Sequence, residues 1–286
     1  MRNSGIDTIA GFFVLYIAVG HALSRYGVTT AKDGIFPFPF LYFFMPWFFY
    51  KGGMYFKHKD NKTAIISSYR RLIIPFFIYT VAGCIIYNGL ALLCDTPIYN
   101  VKNWVIRLII QGSIDENKPL WFLLSLFFVK LIANRITPPN YPKGIIYIFI
   151  TIGIFVATFS NIYKIHIPFY LFNTASGLVY FLFGYLIKET KNYIGLTLAF
   201  FGWFYISFFM PVGVDMRHNT IHYGNYYLWW IYSLCGIYLV NTCVSMIPSK
   251  IIESKYNFLR VCGVYSMEIY VTHWIVLLIP FALGIA

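Results

Sequence analysis

The sequence predicts an all-α, polytopic membrane bundle of about nine spanning helices, with the N-terminus in the cytoplasm. Three observations carry that expectation. Of 286 residues, 59% are hydrophobic, 21% aromatic and only 11% charged, and the mean hydropathy is +0.66. No soluble core of this size needs so many apolar residues. The apolar residues also gather into charge-poor runs of roughly 15–23 residues, near the length that crosses a hydrocarbon layer about 30 Å thick. These runs fall at roughly 7–24, 36–56, 72–94, 120–134, 144–163, 168–187, 193–210, 226–247 and 263–284. Finally, Lys and Arg are unequally shared between alternate loops. With the N-terminus inside, thirteen lie on the inner side: Arg2, Lys57, Lys59, Lys62, Arg70, Arg71, Arg135, Lys143, Lys188, Lys191, Lys250, Lys255 and Arg260. Seven lie outside: Arg25, Lys32, Lys102, Arg107, Lys118, Lys164 and Arg217. The positive-inside rule therefore sets the N-terminus in and the C-terminus out.

The formal charge of +12 sits in short loops between apolar runs, a pattern of topology and of lipid or phosphate contact rather than of nucleic-acid binding. The five cysteines lie in or beside apolar segments without ligand spacing, so neither a disulfide framework nor a metal site is expected. Arg2 is the only charge before Asp7, so the first helix reads as retained rather than cleaved. No repeat or soluble linker divides the chain, and residues 1–286 are expected to form one domain.

In the first span, Asp7, Gly11, Val14, Ala18, His21 and Arg25 share one face at 100° per residue. Asp7 and His21 are then about 21 Å apart, near the inner and outer membrane faces. The small residues leave room for a neighbouring helix or a ligand tail. The face is either a packing stripe or a functional polar path. In the second span, Pro46 is expected to break the helical ladder, and Gly52-Gly53 thins the helix beside Lys51, which lies inside the span. The basic loop that follows closes on Arg70-Arg71 at a helix entrance, where two guanidiniums suit either phosphate contact or plain topology. Stretch 98–113 carries Lys102 and Arg107 among apolar residues and reads as an interfacial helix. The fourth span opens Lys118-Pro119-Leu120-Trp121, with Trp121 at the outer interface.

Asn173 and Ser176 in the sixth span read as packing polar groups. The outer loop 211–225 holds Asp215, Arg217, His218 and His222. Its two histidines are four apart, but no third metal ligand is evident, and the loop reads as solvated and acceptor-facing. In the last span Ser266, Tyr270 and His273 recur on one helix face at mid-membrane depth. They form either a hydrogen-bonded network or part of a polar tunnel.

Taken in order, these segments resemble the membrane-bound acyltransferase-3 family. Asp7 to Gly20-His21 matches the opening Asp-to-His segment with the same spacing, and Met45-Pro46-Trp47-Phe48-Phe49 is similar to a Met-Pro-Leu-Phe-Phe segment. Arg70-Arg71-Leu72-Ile73-Ile74-Pro75 and Leu120-Trp121-Phe122-Leu123 resemble the next two signatures, and Ser266 to His273 resembles the closing Ser-x-x-Ile-Tyr-x-x-His type. The Gly20-His21 form looks most like the branch that O-acetylates exopolysaccharide sugars. Three departures stand out. Ala10 replaces a common Lys or Arg, Lys51 occupies a usually apolar position, and the chain stops at Ala286 after nine spans where relatives show about ten.

The resemblance implies a multi-pass enzyme of the bacterial cytoplasmic membrane that moves acetyl from cytoplasmic acetyl-CoA to a glycan or lipid-linked saccharide. Arg70 and Arg71, with Lys51, would hold the nucleotide phosphates, and the pantetheine arm would follow the small face of the first span. His21 would be the general base, and Asp7 an orienting or charge-balancing group. Trp121, Ser266, Tyr270 and His273 would line the substrate path. A transporter or flippase of lipid-linked glycans, and a catalytically degenerate sensor or assembly protein, are the competing readings.

Overall fold

Bilayer-length apolar runs become helices, but they do not all reach spanning length. The computed structural model describes residues 3–25, 39–94, 100–165, 167–187, 192–254 and 256–282. Among them, five helices are long and apolar enough to cross a membrane: Ser4–Ser24, Asn61–Leu93, Asn117–Ile136, Gly144–Ile162 and Tyr226–Met246. A bent pair adds a sixth if its two arms count as one span. The expected nine therefore divide into full-length helices and shorter ones, and the difference has local causes.

Helix α1 is Ser4–Arg25, and α2 is only Phe44–Met54, not the whole of 36–56. Pro46 is the third residue of α2, where its missing N–H has no intrahelical acceptor, so it sits in the helix start and breaks nothing. Helix α3 (Asn61–Ser68) runs through a π turn at Tyr69–Ile73 directly into α4 (Ile74–Leu93). The expected entrance at Arg70-Arg71 is thus an interior widening of one long helix. Pro75 cannot donate to the Arg71 carbonyl and crowds it. The backbone instead bonds the Ile74 N–H to the Tyr69 carbonyl, five residues back.

Helix α5 (Val101–Gln111) has no fully buried residue. A short 3-10 segment, Asp115–Leu120, leads into α6 (Trp121–Ile136), followed by α7 (Gly144–Ile162). Helix α8 (Phe172–Leu186) has 15 residues, about 22 Å, and is buried on nearly every side between α2, α6 and α7. Helix α9 (Tyr193–Phe209) packs on α10 (Tyr226–Met246), and between them strands β1 (Gly213–Asp215) and β2 (Thr220–Tyr223) pair antiparallel. This small hairpin is the one departure from an all-α architecture among the described residues. The chain ends in α11 (Ser249–Ile252), α12 (Phe258–Val264) and α13 (Ser266–Ala282), the last two meeting at 89°.

Side chains such as Ile85 on α4, Phe155 on α7 and Leu198 and Phe201 on α9 point outward and exposed. Helices that satisfy their own backbone and present such a surface suit lipid contact. Inside, Phe13 of α1 lies 5.3 Å from the Trp47 ring and 5.6 Å from Phe43, while Phe49 packs on Phe122 at 4.9 Å. The Trp47 indole donates to Asn241 Oδ1 at 2.9 Å, so this large side chain is buried with its polar atom satisfied.

Two helix crossings are made backbone to backbone. A Cβ on Gly11 would overlap the Leu259 carbonyl, and one on Gly263 the carbonyl of Asp7, so α1 and α12 touch at main-chain distance. A Cβ on Gly53 or Gly184 would likewise overlap the carbonyls of Phe181 and Tyr50, joining α2 to α8. The small face of α1 at Gly11 thus takes a neighbouring helix, leaving no space there for a ligand tail. Gly11→Val or Gly263→Val is expected to destabilise the protein by about 1–3 kcal/mol or prevent its accumulation. Gly89→Ala, with open space around it, should leave the thermal unfolding midpoint in detergent unchanged or slightly higher.

Candidate active site

The C-terminal end of α1 opens into a cavity of about 340 Å³. Its wall is assembled from five separate parts of the chain: His21 and Ser24 of α1, Tyr42, Phe44 and Met45 before and at the start of α2, Lys118, Pro119 and Trp121, the hairpin, and Tyr270 and Trp274 of α13. It is the place where the sequence-predicted residues His21, Trp121 and Tyr270 come together.

His21 is held between aromatic planes. The His273 ring stacks on it at 5.4 Å and 16°, and the Trp274 ring meets it edge-on at 4.9 Å. The Nδ1–H of His273 donates to the Tyr270 carbonyl at 2.8 Å, and the Ile269 carbonyl lies at 3.2 Å. This leaves Nε2 of His273 as the lone-pair nitrogen. Tyr270 donates its hydroxyl to the Pro119 carbonyl, and Asn117 donates Nδ2 to the Val271 carbonyl at 3.2 Å. The segment carrying Lys118 and Trp121 is thereby tied to α13. Ser266 stands at the first residue of α13, at the bend, outside the cavity lining. Of the three residues expected on one polar face, Tyr270 lines the cavity, His273 backs His21, and Ser266 does neither.

The hairpin supplies what sequence reasoning did not locate. Asn219, at a left-handed φ of 53°, turns its side chain into the bundle, where it is 2% exposed. Its Nδ2 donates to the Ala157 carbonyl at 2.8 Å and to Ser160 Oγ at 2.7 Å, and its Oδ1 accepts from Ser176 Oγ at 2.8 Å and from the Tyr226 hydroxyl at 2.5 Å. Asn173 adds a bond from its Nδ2 to the Arg217 carbonyl at 3.0 Å. Asn173 and Ser176 are thus anchors for the hairpin. Asparagine tolerates the left-handed conformation, so one residue makes both the turn and the anchor.

So anchored, the hairpin presents Asp215, Arg217, His218 and His222 to the cavity. Oδ1 of Asp215 accepts the backbone N–H groups of Arg217 at 2.9 Å and His218 at 3.3 Å, and its Oδ2 pairs with His218 Nδ1. The two histidines lie in the turn and on β2, not on the helix that a four-residue metal spacing would need. Burial by itself would raise the Asp215 carboxyl, but the His218 bonds and charge, with the Arg217 guanidinium, outweigh it and hold the group below the usual carboxylate range.

The basic residues lie elsewhere. Arg70 and Arg71 are exposed on the π turn, and Lys130 of α6 interacts electrostatically with Arg71 and Lys59. The Lys59 backbone exchanges hydrogen bonds with the Asn134 side chain at 3.0 and 2.9 Å. Asn134 is thirteen residues along α6 from Trp121, so this cationic group is about 20 Å from the cavity wall. Lys59 and Lys130 join the predicted arginines. They went unread in the sequence because a lysine inside a span and one in a basic loop look unrelated. Lys51 is half-buried on α2 with Nζ 5.7 Å from the centroid of its own Trp47 ring. Asp7 is 4% exposed at the α1–α12 crossing, fourteen residues and about 21 Å from His21.

A depressed carboxyl pKa means that the folded hairpin favours the charged form of Asp215. Its contribution is fully present above the ordinary carboxylate range and is lost as pH falls through the lower folded value. Hydrogen exchange over residues 213–223 should therefore stay slow down to about pH 4 and quicken below it. Asp215→Asn should quicken it already at neutral pH. Equal protection in the variant would remove the pairing as a stabilising contact.

No curated protein and no solved structure matches the chain. The family model of the acyltransferase-3 domain, described as an acyltransferase domain, matches residues 3–283. On that match over nearly its whole length, this chain belongs to the acyltransferase-3 family of membrane acyltransferases.

Proposed function

We propose that this protein transfers an acetyl group from cytoplasmic acetyl-CoA to a hydroxyl of a cell-surface or exopolysaccharide sugar, in the cytoplasmic membrane of a bacterium. The observation that carries the reading is the separation of two kinds of site. A ring-packed imidazole faces a cavity at one end of the bundle, and a cluster of Arg71, Lys59 and Lys130 lies at the other end of α6. A donor with an anionic head and a long arm ending in a thioester fits such a separation. Because α12 fills the α1 face at Gly11, the arm is assigned no path there.

In the proposed step, His21 takes the proton of the acceptor hydroxyl while its oxygen attacks the thioester carbonyl. A C–O bond forms, the C–S bond breaks, and the imidazolium returns the proton to the leaving thiolate. His273, stacked on His21 and fixed through its own Nδ1–H, positions that ring. Trp121 and Tyr270 shape the acceptor side. Arg70 and Arg71 bind the donor phosphates through charge-assisted bonds. Asp7 balances charge at the far end of α1, and Lys51 is kept as a secondary donor contact.

His21→Ala is expected to lower acetyl transfer by about 100-fold or more, with donor binding retained, in purified protein supplied with labelled acetyl-CoA and envelope glycans. Wild-type rates in this variant would remove the base assignment. Arg70→Ala and Arg71→Ala should each raise the acetyl-CoA KM by about tenfold with little change in kcat. An unaltered KM in both would sink the phosphate role.

A further inference from the structure

Of the three imidazoles among the described lining residues, two are engaged within the protein. His21 is packed between the His273 and Trp274 rings, and His218 Nδ1 is paired with Asp215 Oδ2. The third, His222, is exposed and makes no hydrogen bond, ion pair or ring contact with another described residue. Its place in the hairpin is not that of a regular strand residue. Gly213 pairs with Tyr223, Val214 with Ile221 and Asp215 with Thr220, so His222 is the extra residue of β2, with no partner on β1. A bulge of this kind bends its strand and re-aims a side chain. Of the four residues of β2, His222 is the one that lines the cavity. The bulge is held from both sides. The Tyr223 ring lies over Gly213, where a Cβ would stand 2.5 Å from a ring carbon, and Asn219 anchors the turn to α7, α8 and α10. An imidazole carried on so rigid a frame, in the same cavity as His21, is preorganised for a ligand.

We propose that His222 selects the acceptor: its ring hydrogen-bonds a second hydroxyl of the sugar and so decides which hydroxyl is presented to His21. This rests on the transferase reading and adds to it a residue that sets specificity. A neutral imidazole donates from one nitrogen and accepts at the other, and a sugar hydroxyl does both, so the two are matched in either direction. The donor is served elsewhere, by the cationic cluster of Arg71, Lys59 and Lys130 about 20 Å from the cavity wall. His222 instead stands on the solvent-open side, by which a hydrophilic acceptor enters. A site that bonds a hydroxyl discriminates against a sugar lacking it. Because water replaces the sugar at an exposed ring, the preference is about tenfold, not the far larger ratio of a buried pair.

The test uses full-length protein in nanodiscs, with labelled acetyl-CoA as donor and total envelope glycans as acceptor. Wild type, His222→Ala and His222→Gln are compared. In His222→Ala the apparent KM for the glycans should rise about tenfold, while that for acetyl-CoA stays at the wild-type value. The acetylated hydroxyl, located by NMR of the product, should spread over more than one position. His222→Gln keeps a donor and an acceptor and should recover part of both the KM and the positional preference. A second measurement needs neither a variant nor turnover. In the wild type, diethyl pyrocarbonate modification of His222, read by peptide mass spectrometry, should be slowed several-fold by the glycans and not by acetyl-CoA. If His222→Ala loses the hairpin, seen as fast hydrogen exchange over residues 213–223, this protection decides alone. An unchanged glycan KM together with an unchanged acetyl position overturns the inference, as does modification of His222 that ignores the glycans. A fall in kcat with both KM values unchanged also overturns it, since the residue would then carry a proton and not select a sugar. Absence of transfer by the wild type defeats the transferase reading, whereas transfer untouched by His222→Ala defeats only acceptor selection.

Discussion

Where α1 meets α12, two main chains touch through Gly11 and Gly263, and the functional end of the molecule depends on that contact. It ties the first helix to the last helical pair. The chain then turns through 89° at Tyr265 and sends α13 back beside α1. Only with both arms so held does His273 lie flat on His21, with Trp274 against its edge. A side chain larger than hydrogen at either glycine would separate the axes, and the effect would reach the imidazoles as a change of angle. In a medium where hydrophobic surface supplies no net drive between helices, such close packing is a main source of association.

The second organising device is polar. A hairpin between two apolar helices has backbone groups to satisfy, and Asn219 fixes its turn by bonding to α7, α8 and α10 at once. Fully satisfied, such a buried network is rigid, and half-satisfied it would be costly. The same hairpin carries Asp215 and His218 over the cavity, so structural anchoring and site chemistry share eleven residues, Gly213 to Tyr223.

Much of this was legible along the chain. The full-length helices at Ser4–Ser24, Gly144–Ile162 and Tyr226–Met246 follow the apolar runs closely, and a separate helix, Val101–Gln111, forms within the stretch of mixed charge and hydrophobicity. Hydropathy overestimated α2 and α8, since a run of apolar residues reads alike whether it faces lipid or protein. Both are short and interior. It also put a boundary at Arg70-Arg71, where a π turn lets one helix continue past Pro75. The aromatic and imidazole side chains named from spacing, His21, Trp121 and Tyr270, do converge, while Ser266, sharing their face, lies at the bend.

The sequence by itself determined the membrane class, the orientation signal and the ordered segments that mark the family. Each of these is written locally: bilayer thickness sets run length, loop charge sets direction, and short motifs keep their order. Tertiary structure alone decided which groups share the cavity. Lys118, Arg217, His218 and Trp274 stand between about 97 and 253 positions from His21 in the chain and meet it only after the helices pack. It also decided that the small face of α1 receives a helix, because room beside a glycine is the same in sequence whether a ligand or a neighbour fills it.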